Sequence, residues 1–185
     1  MLNTFAYTGS LGVAALAGGA ARVVQIDRNG RFLELARRSA ALNHLDLGKM
    51  QTSAVDFFVG AGQMRNRHEE FDIVVLDPPF FSITERGRVD QVNETARLIN
   101  KMRPLVRDGG CIISINNALF LTGADYLAAL QDLCESGYLT LEDTLSVPKD
   151  AAGYLLPGMQ AWPVAPAPFN HPTKIAVLRV KKKNS

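Results

Sequence analysis

The residues best suited to do chemistry lie between Ile73 and Phe81, which read IVVLDPPFF. The apolar run has the character of a strand buried on both faces, and Asp77-Pro78-Pro79 cannot continue it. Such a strand ends by delivering an acid, a stiff turn and the aromatic edge of Phe80 and Phe81 to one point. The prolines fix φ and offer no N–H, so their carbonyls and the Asp77 carboxylate are free to face a ligand. A second acid, Asp27, closes the apolar stretch ARVVQI, and Gly9 sits in TGSLG after the first apolar stretch. In nucleotide-binding βαβ units a glycine in the first turn lets backbone approach the ligand, and an acid after the second strand accepts the ribose hydroxyls. TGSLG is not GxGxxG, which disfavours a dinucleotide. A ligand with an adenosine and no pyrophosphate fits better.

These positions need strands whose carboxyl ends converge. The chain supplies them as strand, Gly-containing turn, helix over residues 1–17, a second strand at 21–26, and a helix carrying Phe32, Leu35, Ala36, Ser39 and Leu42 at helical spacing. A weak third strand at 49–54 precedes a helical stretch opened by Asp56-Phe57-Phe58. The βαβα alternation implies a parallel sheet. Residues 90–106 are expected to form one amphipathic helix with Val92, Ala96, Ile99 and Met102 on its apolar stripe, stopped by Asp108-Gly109-Gly110. CIISI (111–115) is the fifth strand, ending at Asn116-Asn117, and a helix with Tyr126, Leu127, Leu130 and Leu133 follows. The last two strands, from Tyr138 and at 174–180, are expected to pair at one edge. The Pro- and Gly-rich stretch 148–172 between them is either a substrate-binding lid or a packed edge.

With 185 residues, 47% hydrophobic and 21% charged, the chain has the make-up of one globular domain. A net charge of +2 does not by itself argue for nucleic acid. Basic residues are nonetheless concentrated at Arg86, Arg88, Arg97, Lys101, Arg103 and Arg107 and at Lys181–Lys183; they form either a solvated face or a seat for phosphates. The two cysteines, Cys111 and Cys134, form no CxxC or Cys/His cluster, so no metal site and no disulfide framework is expected. No apolar run approaches a membrane span, and the expectation is a cytoplasmic protein without a membrane partner. His171, in PFNHP, reads as structural.

LNTFAYTGSLGVAALAGGA, VVQIDRN, the DFF at Asp56, FDIVVLDPPFFS and the ISINN around Asn116 together resemble the ribosomal-RNA branch of class I S-adenosylmethionine-dependent methyltransferases. The resemblance spans Leu2 to about Phe120. It implies an α/β, Rossmann-like sandwich with a seven-stranded, mostly parallel sheet whose last strand is antiparallel. It implies S-adenosyl-L-methionine as cofactor and RNA, above all ribosomal RNA, as partner. Tyr7, Thr8, Gly9 and Ser10 would line its methionine end, Asp27 would bind its ribose, Asp56 and Phe57 would flank its adenine, and Phe5, Arg28 and Asp77 would also contact it. Asp56 is equally suited to cap its helix, and Phe57 to the core. Residues 1–185 would be a single methyltransferase domain, apparently without the N-terminal segment and RNA-binding domain of relatives: either a piece of a longer protein or a chain that relies on a partner for RNA.

Two branches of the family differ at the fifth strand. Methylation of cytosine C5 requires a thiolate to add at C6 first, and that branch carries a cysteine after the serine. Here the serine is followed by Ile115-Asn116-Asn117, closer to the guanine-N7 pattern Ser-Asn-Asn, and Cys111 is too early in the strand. Guanine N7 has a free lone pair and no proton to lose, so orientation suffices. On this reading Asp77, Pro78, Pro79 and Asn117 orient the acceptor, Phe80 stacks on it, and Phe81, Arg86, Arg88 and Asn116 touch substrate. Asn116 and Asn117 are alternatively strand-end residues that satisfy backbone. Transfer to an exocyclic amine of a base or to an amine of a protein or small molecule, and a binding module that has lost catalysis, are the rival readings.

Overall fold

The computed structural model describes residues 1–85, 87–152 and 161–182, so Arg86, Tyr154, Met159 and Lys183 lie outside the described residues. The first half runs β1 (Leu2–Asn3), α1 (Ser10–Ala17), β2 (Val23–Asp27), α2 (Gly30–Leu42), β3 (Met50–Ala54), α3 (Phe57–Asn66) and β4 (Phe71–Leu76). The second half runs β5 (Phe81–Thr84), β6 (Gly87–Asp90), α4 (Thr95–Met102), β7 (Val106–Asn116), α5 (Gly123–Cys134), β8 (Leu139–Leu145) and β9 (Lys174–Val180). Seven strands make one sheet in the order β3-β2-β1-β4-β7-β9-β8. Strands β1, β2, β3, β4 and β7 pair in parallel, and β9 runs antiparallel between β7 and β8. This is the α/β, Rossmann-like sandwich expected from the resemblance, and the final strand is inserted next to β7, leaving β8 as the edge.

The order of the sheet follows from its burial. The central strands β4 and β7 and the helix α4 bury Leu76, Ile99, Met102 and Ile112, none more than 1% exposed, as a continuous apolar layer. β1 has only two residues, but the chain beyond it remains tied to β4: the Thr4 N–H and hydroxyl both donate to the Val75 carbonyl, at 3.1 and 2.8 Å. The turn that follows requires glycine. Gly9 has φ +76°, and a Cβ there would lie 2.3 Å from the Ala36 Cβ and 2.9 Å from the Gln25 amide. Gly9→Ala combines a left-handed backbone with a clash between α1 and α2, and should cost about 2–4 kcal/mol of unfolding free energy by chemical denaturation.

The single helix expected over 90–106 is not what forms. β5 and β6 make a two-stranded hairpin, with Phe81 opposite Asp90 and Ser82 opposite Val89, and the helix begins only at Thr95. The cause is Asp90, whose side chain accepts from the Val92 and Asn93 N–H groups and the Asn93 amide, closing a local turn that competes with a helix. The buried stripe is therefore Leu98, Ile99 and Met102, while Val92 is exposed. Asp108-Gly109-Gly110 lies inside β7, at a register shift against β4, and does not end a helix.

The described part of the 148–172 stretch packs as an edge. The Gly123 N–H donates to the Ala165 carbonyl, Phe169 packs on Tyr126, and Asn170 bonds both backbone groups of Val147. Residues 153–160 are outside the described residues. His171 accepts from the Thr173 N–H through Nδ1 and stands edge-on to Trp162, a structural role. Several basic residues marked in the sequence are paired with acids: Arg88 and Arg97 with Glu94, Arg107 with Asp72, and Lys182 with Glu70.

Candidate active site at the carboxyl ends of the parallel strands

The parallel strands end around one cavity of about 380 Å³, within the usual range for a small-molecule site. Each contributes the residues just beyond its carboxyl end: Thr4, Phe5 and Tyr7 after β1; Ile26, Asp27 and Arg28 at β2; Val55, Asp56 and Phe57 after β3; Asp77, Pro78 and Pro79 after β4; Asn117 after β7. Ser82 and Val89 of the hairpin close the wall.

One end is built for a polyhydroxylated, partly apolar ligand. Tyr7 holds a left-handed backbone, φ 49°, that aims its N–H at Asp27 Oδ2, 2.8 Å away. Asp27 Oδ1 accepts from the Asn29 N–H, also at 2.8 Å, so each carboxylate oxygen keeps a lone pair for a further donor. The helix after Asp27 is capped by Asn29, whose side chain accepts from the Arg31 N–H, which releases Asp27 from that task. Phe5 and Phe57 stack on each other at 4.7 Å beside Ile26 and Val55, making an apolar wall against which a flat ring can lie. Asp56 caps α3 by accepting from the Phe58 N–H with Oδ1 and still lines the cavity.

At the other end Asp77 and Asn117 meet. The Asn117 amide nitrogen donates to Asp77 Oδ1 at 2.8 Å, and its oxygen accepts from the Thr173 hydroxyl at 2.9 Å. A carboxylate only accepts, so the nitrogen must be the atom that faces it. Burial pushes the Asp77 carboxyl above the usual range, and the bond from Asn117 pulls it back in part.

A family model described as S-adenosylmethionine-dependent methyltransferase matches residues 1–151. The chain belongs to that family. Two similar curated proteins are both called "Ribosomal RNA large subunit methyltransferase I". The one from Tolumonas auensis is 48% identical over 82 residues, covering 44% of this chain and 21% of that protein. The one from Escherichia coli O1:K1 / APEC is 33% identical over 123 residues, covering 66% of this chain and 31% of that protein. Matches to these relatives thus reach less than a third of their length. The crystal structure of SMU.776, complexed with SAH, superposes with a TM-score of 0.79 at 26% identity over 97% of this chain and 44% of that one. A methyltransferase from Streptococcus mutans at 24% identity, TM-score 0.78, shares the fold.

The chain thus belongs to a family of S-adenosylmethionine-dependent methyltransferases, and the cavity's donor set fits that cofactor: an acid with spare acceptors, an aromatic wall and an opening toward Asp77. Of the cofactor residues expected from the sequence, Phe5, Tyr7, Asp27, Arg28, Asp56, Phe57 and Asp77 come together there. Thr8, Gly9 and Ser10 do not line the cavity; Gly9 is buried between α1, α2 and Gln25, where it shapes the turn. Pro78, Pro79 and Asn117 line it, whereas Phe80 and Phe81, each about half exposed, stand outside, as does Arg88. Asn116 is only 1% exposed; it donates to the Gln91 carbonyl and accepts from the Ala118 N–H, so it is a strand-end residue and no substrate contact. Sequence reasoning missed Thr4, Ile26, Val55, Ser82 and Val89 as lining residues. It also missed Lys174, which is buried and donates to the carbonyls of Ala118 and Pro172, at 2.9 and 2.7 Å. Adjacency to Asp27 and Asp56 marks Ile26 and Val55 in retrospect; nothing local marks the hairpin residues. No group of three His, Cys, Asp or Glu suited to a metal occurs among the described residues, and no described helix is long and apolar enough to cross a membrane.

Proposed function

We propose that this chain methylates RNA, with ribosomal RNA as the substrate class and guanine N7 as the acceptor, by direct in-line transfer. The observation that carries the choice of atom is the absence of a thiol from the site. Cytosine C5 needs a thiolate to add to the ring, and this chain's cysteines are elsewhere: Cys111 pairs with Ile73 low on β7 and Cys134 ends α5. Cys111 is six residues before Asn117 on an extended strand, about 20 Å away. Guanine displays N7 and O6 as adjacent acceptors. The Asn117 amide uses one hydrogen on Asp77, and its second can donate to O6, which sets N7 toward the donor methyl group. The cofactor supplies an electrophilic methyl on a sulfonium. Asp27 and the wall made by Phe5 and Phe57 hold its nucleoside, Asp77 and Asn117 hold the base, and Phe80 and Phe81 offer exposed rings for flanking bases. The names of the relatives support RNA as substrate. The chain acts as one methyltransferase domain of a longer architecture or with a partner that brings the RNA.

One feature favours a second reading, transfer to an amine. The Asp77 carboxylate keeps acceptor capacity at the head of the cavity, and an amino group has hydrogens to give it. The test is incubation of ribosomal RNA lacking base methylation with tritiated S-adenosylmethionine, followed by nuclease digestion and mass spectrometry of the nucleosides. The expected product is 7-methylguanosine. 5-Methylcytidine would sink the choice of atom, label that survives ribonuclease would support the amine reading, and saturable cofactor binding without transfer would indicate a binding module.

A further inference from the structure

Gln91 is fully buried at the end of the β5–β6 hairpin, in a segment with no apolar or catalytic signature, and it bonds to every piece of backbone that presents the acceptor end of the cavity. Its carboxamide oxygen accepts from the Asn117 N–H at 2.7 Å. Its carboxamide nitrogen donates to the Pro78 carbonyl. Its own N–H donates to the Phe80 carbonyl at 3.1 Å, and its carbonyl accepts from the Asn116 side chain at 2.9 Å and the Thr95 hydroxyl at 2.8 Å. The Asp77-Pro78-Pro79 turn and the end of β7 belong to neighbouring parallel strands, but their ladder stops at Leu76 and Ser114. Beyond that point proline offers no N–H, and backbone pairing cannot carry the register onward. The Gln91 side chain supplies the missing cross-link, one donor and one acceptor in a rigid amide plane at the reach the gap requires.

We propose that Gln91 is the positioning residue that sets Asn117 against Asp77, an inference that rests on the reading of those two side chains as the acceptor-orienting pair. Gln91 does not line the cavity; it acts through the Asn117 N–H and the Pro78 carbonyl. Thr173, arriving on the opposite side, fixes the Asn117 amide from its oxygen. Gln91 thus holds the Asn117 backbone while Thr173 and Asp77 hold its side chain.

The experiment uses Gln91→Met, which keeps length and burial while removing both polar atoms, and Gln91→Asn, which retains an amide but is one methylene too short to bridge. Three readouts are taken: total methyl transfer to RNA whatever the nucleoside, affinity for S-adenosylmethionine, and hydrogen exchange over residues 116–118. Gln91→Met should lower kcat about 100-fold, in line with the cost of about 1 Å of misplacement, while cofactor affinity stays within about threefold. In an Asn117→Ala background the same change should cost less than about threefold, because residues acting through one contact are not additive. Exchange at the Asn117 amide should accelerate. Gln91→Asn should show the same pattern more weakly, and it stands in if the methionine variant does not fold. Equal kcat losses in both backgrounds, or unchanged exchange at Asn117, would overturn the proposal. If the wild-type chain labels no RNA, the functional reading fails, and exchange at Asn117 alone decides: faster supports the positioning role, unchanged refutes it.

Discussion

Asp27→Ala is expected to weaken S-adenosylmethionine binding about 100-fold or more, measured by calorimetric titration. The carboxylate is held in place by two backbone donors, Tyr7 and Asn29, and retains an acceptor site on each oxygen. On the proposed reading those sites take the two ribose hydroxyls. Hydrogen bonds to a charged group contribute about 1.5–3 kcal/mol each, so losing two costs about 3 kcal/mol or more. Asp27→Asn should do less damage, since one carbonyl oxygen remains. The fold should survive both changes because Asn29, and not Asp27, caps α2. Unchanged affinity with an intact fold would remove Asp27 from the cofactor site. A nicotinamide dinucleotide is the control and should not bind, because the first turn has no phosphate cradle.

Asn117→Ala should act at the other end and on a different quantity. Turnover is expected to fall about 100-fold with cofactor affinity held within about threefold, since the side chain orients the acceptor and lies away from Asp27. A pH signature should accompany the loss. Burial raises the Asp77 carboxyl and the Asn117 bond lowers it, so removing that bond moves the carboxyl further up. If the carboxylate is the working form, the acid side of the rate profile then shifts to higher pH in the variant. Stability moves the other way. A carboxyl raised in the fold holds its proton more tightly than the unfolded chain does, so its contribution to stability is present below the unfolded value and is lost as pH rises through the folded one. Acid unfolding through Asp77 therefore cannot mimic the shift. A profile identical to wild type would mean that Asp77 ionisation is not felt in the reaction.

The acids Asp27 and Asp77, which meet at the cavity, are legible from local signals because each ends an apolar run that can be read without its partners, VVQI and IVVL; Asp56 reads locally as a helix cap and reaches the site only through the resemblance. The resemblance added the antiparallel last strand, which local pattern alone left as one of a pair at an edge. What stayed hidden depends on contacts between distant segments. Residues 90–94 read as the start of a helix because Val92, Ala96, Ile99 and Met102 fall near helical spacing, and the turn made by Asp90 overrides that pattern; the hairpin before it carries no local signal. Gln91, Thr173 and Lys174 carry no motif; their importance lies in partners 26, 56 and 56 residues away. Asn116 and Asn117 are neighbours of one type with opposite fates, one turned into the core and one toward the cavity, as the alternation of a strand requires.

The insertion of β9 beside β7 also has a consequence during synthesis. The cofactor end is made from residues 4–57, while Asn117 waits for Thr173, and the CIISI edge of β7 has no neighbour until β9 arrives. At about 5–20 residues per second, the ~60 residues between them take about 3–12 s to emerge. For that interval the nascent chain carries a nearly complete cofactor pocket, an unclamped acceptor end and an open, isoleucine-rich strand edge, the kind of surface that recruits another strand. On the proposed reading the cofactor end can assemble before the acceptor end is clamped, and the hazard in that window is aggregation.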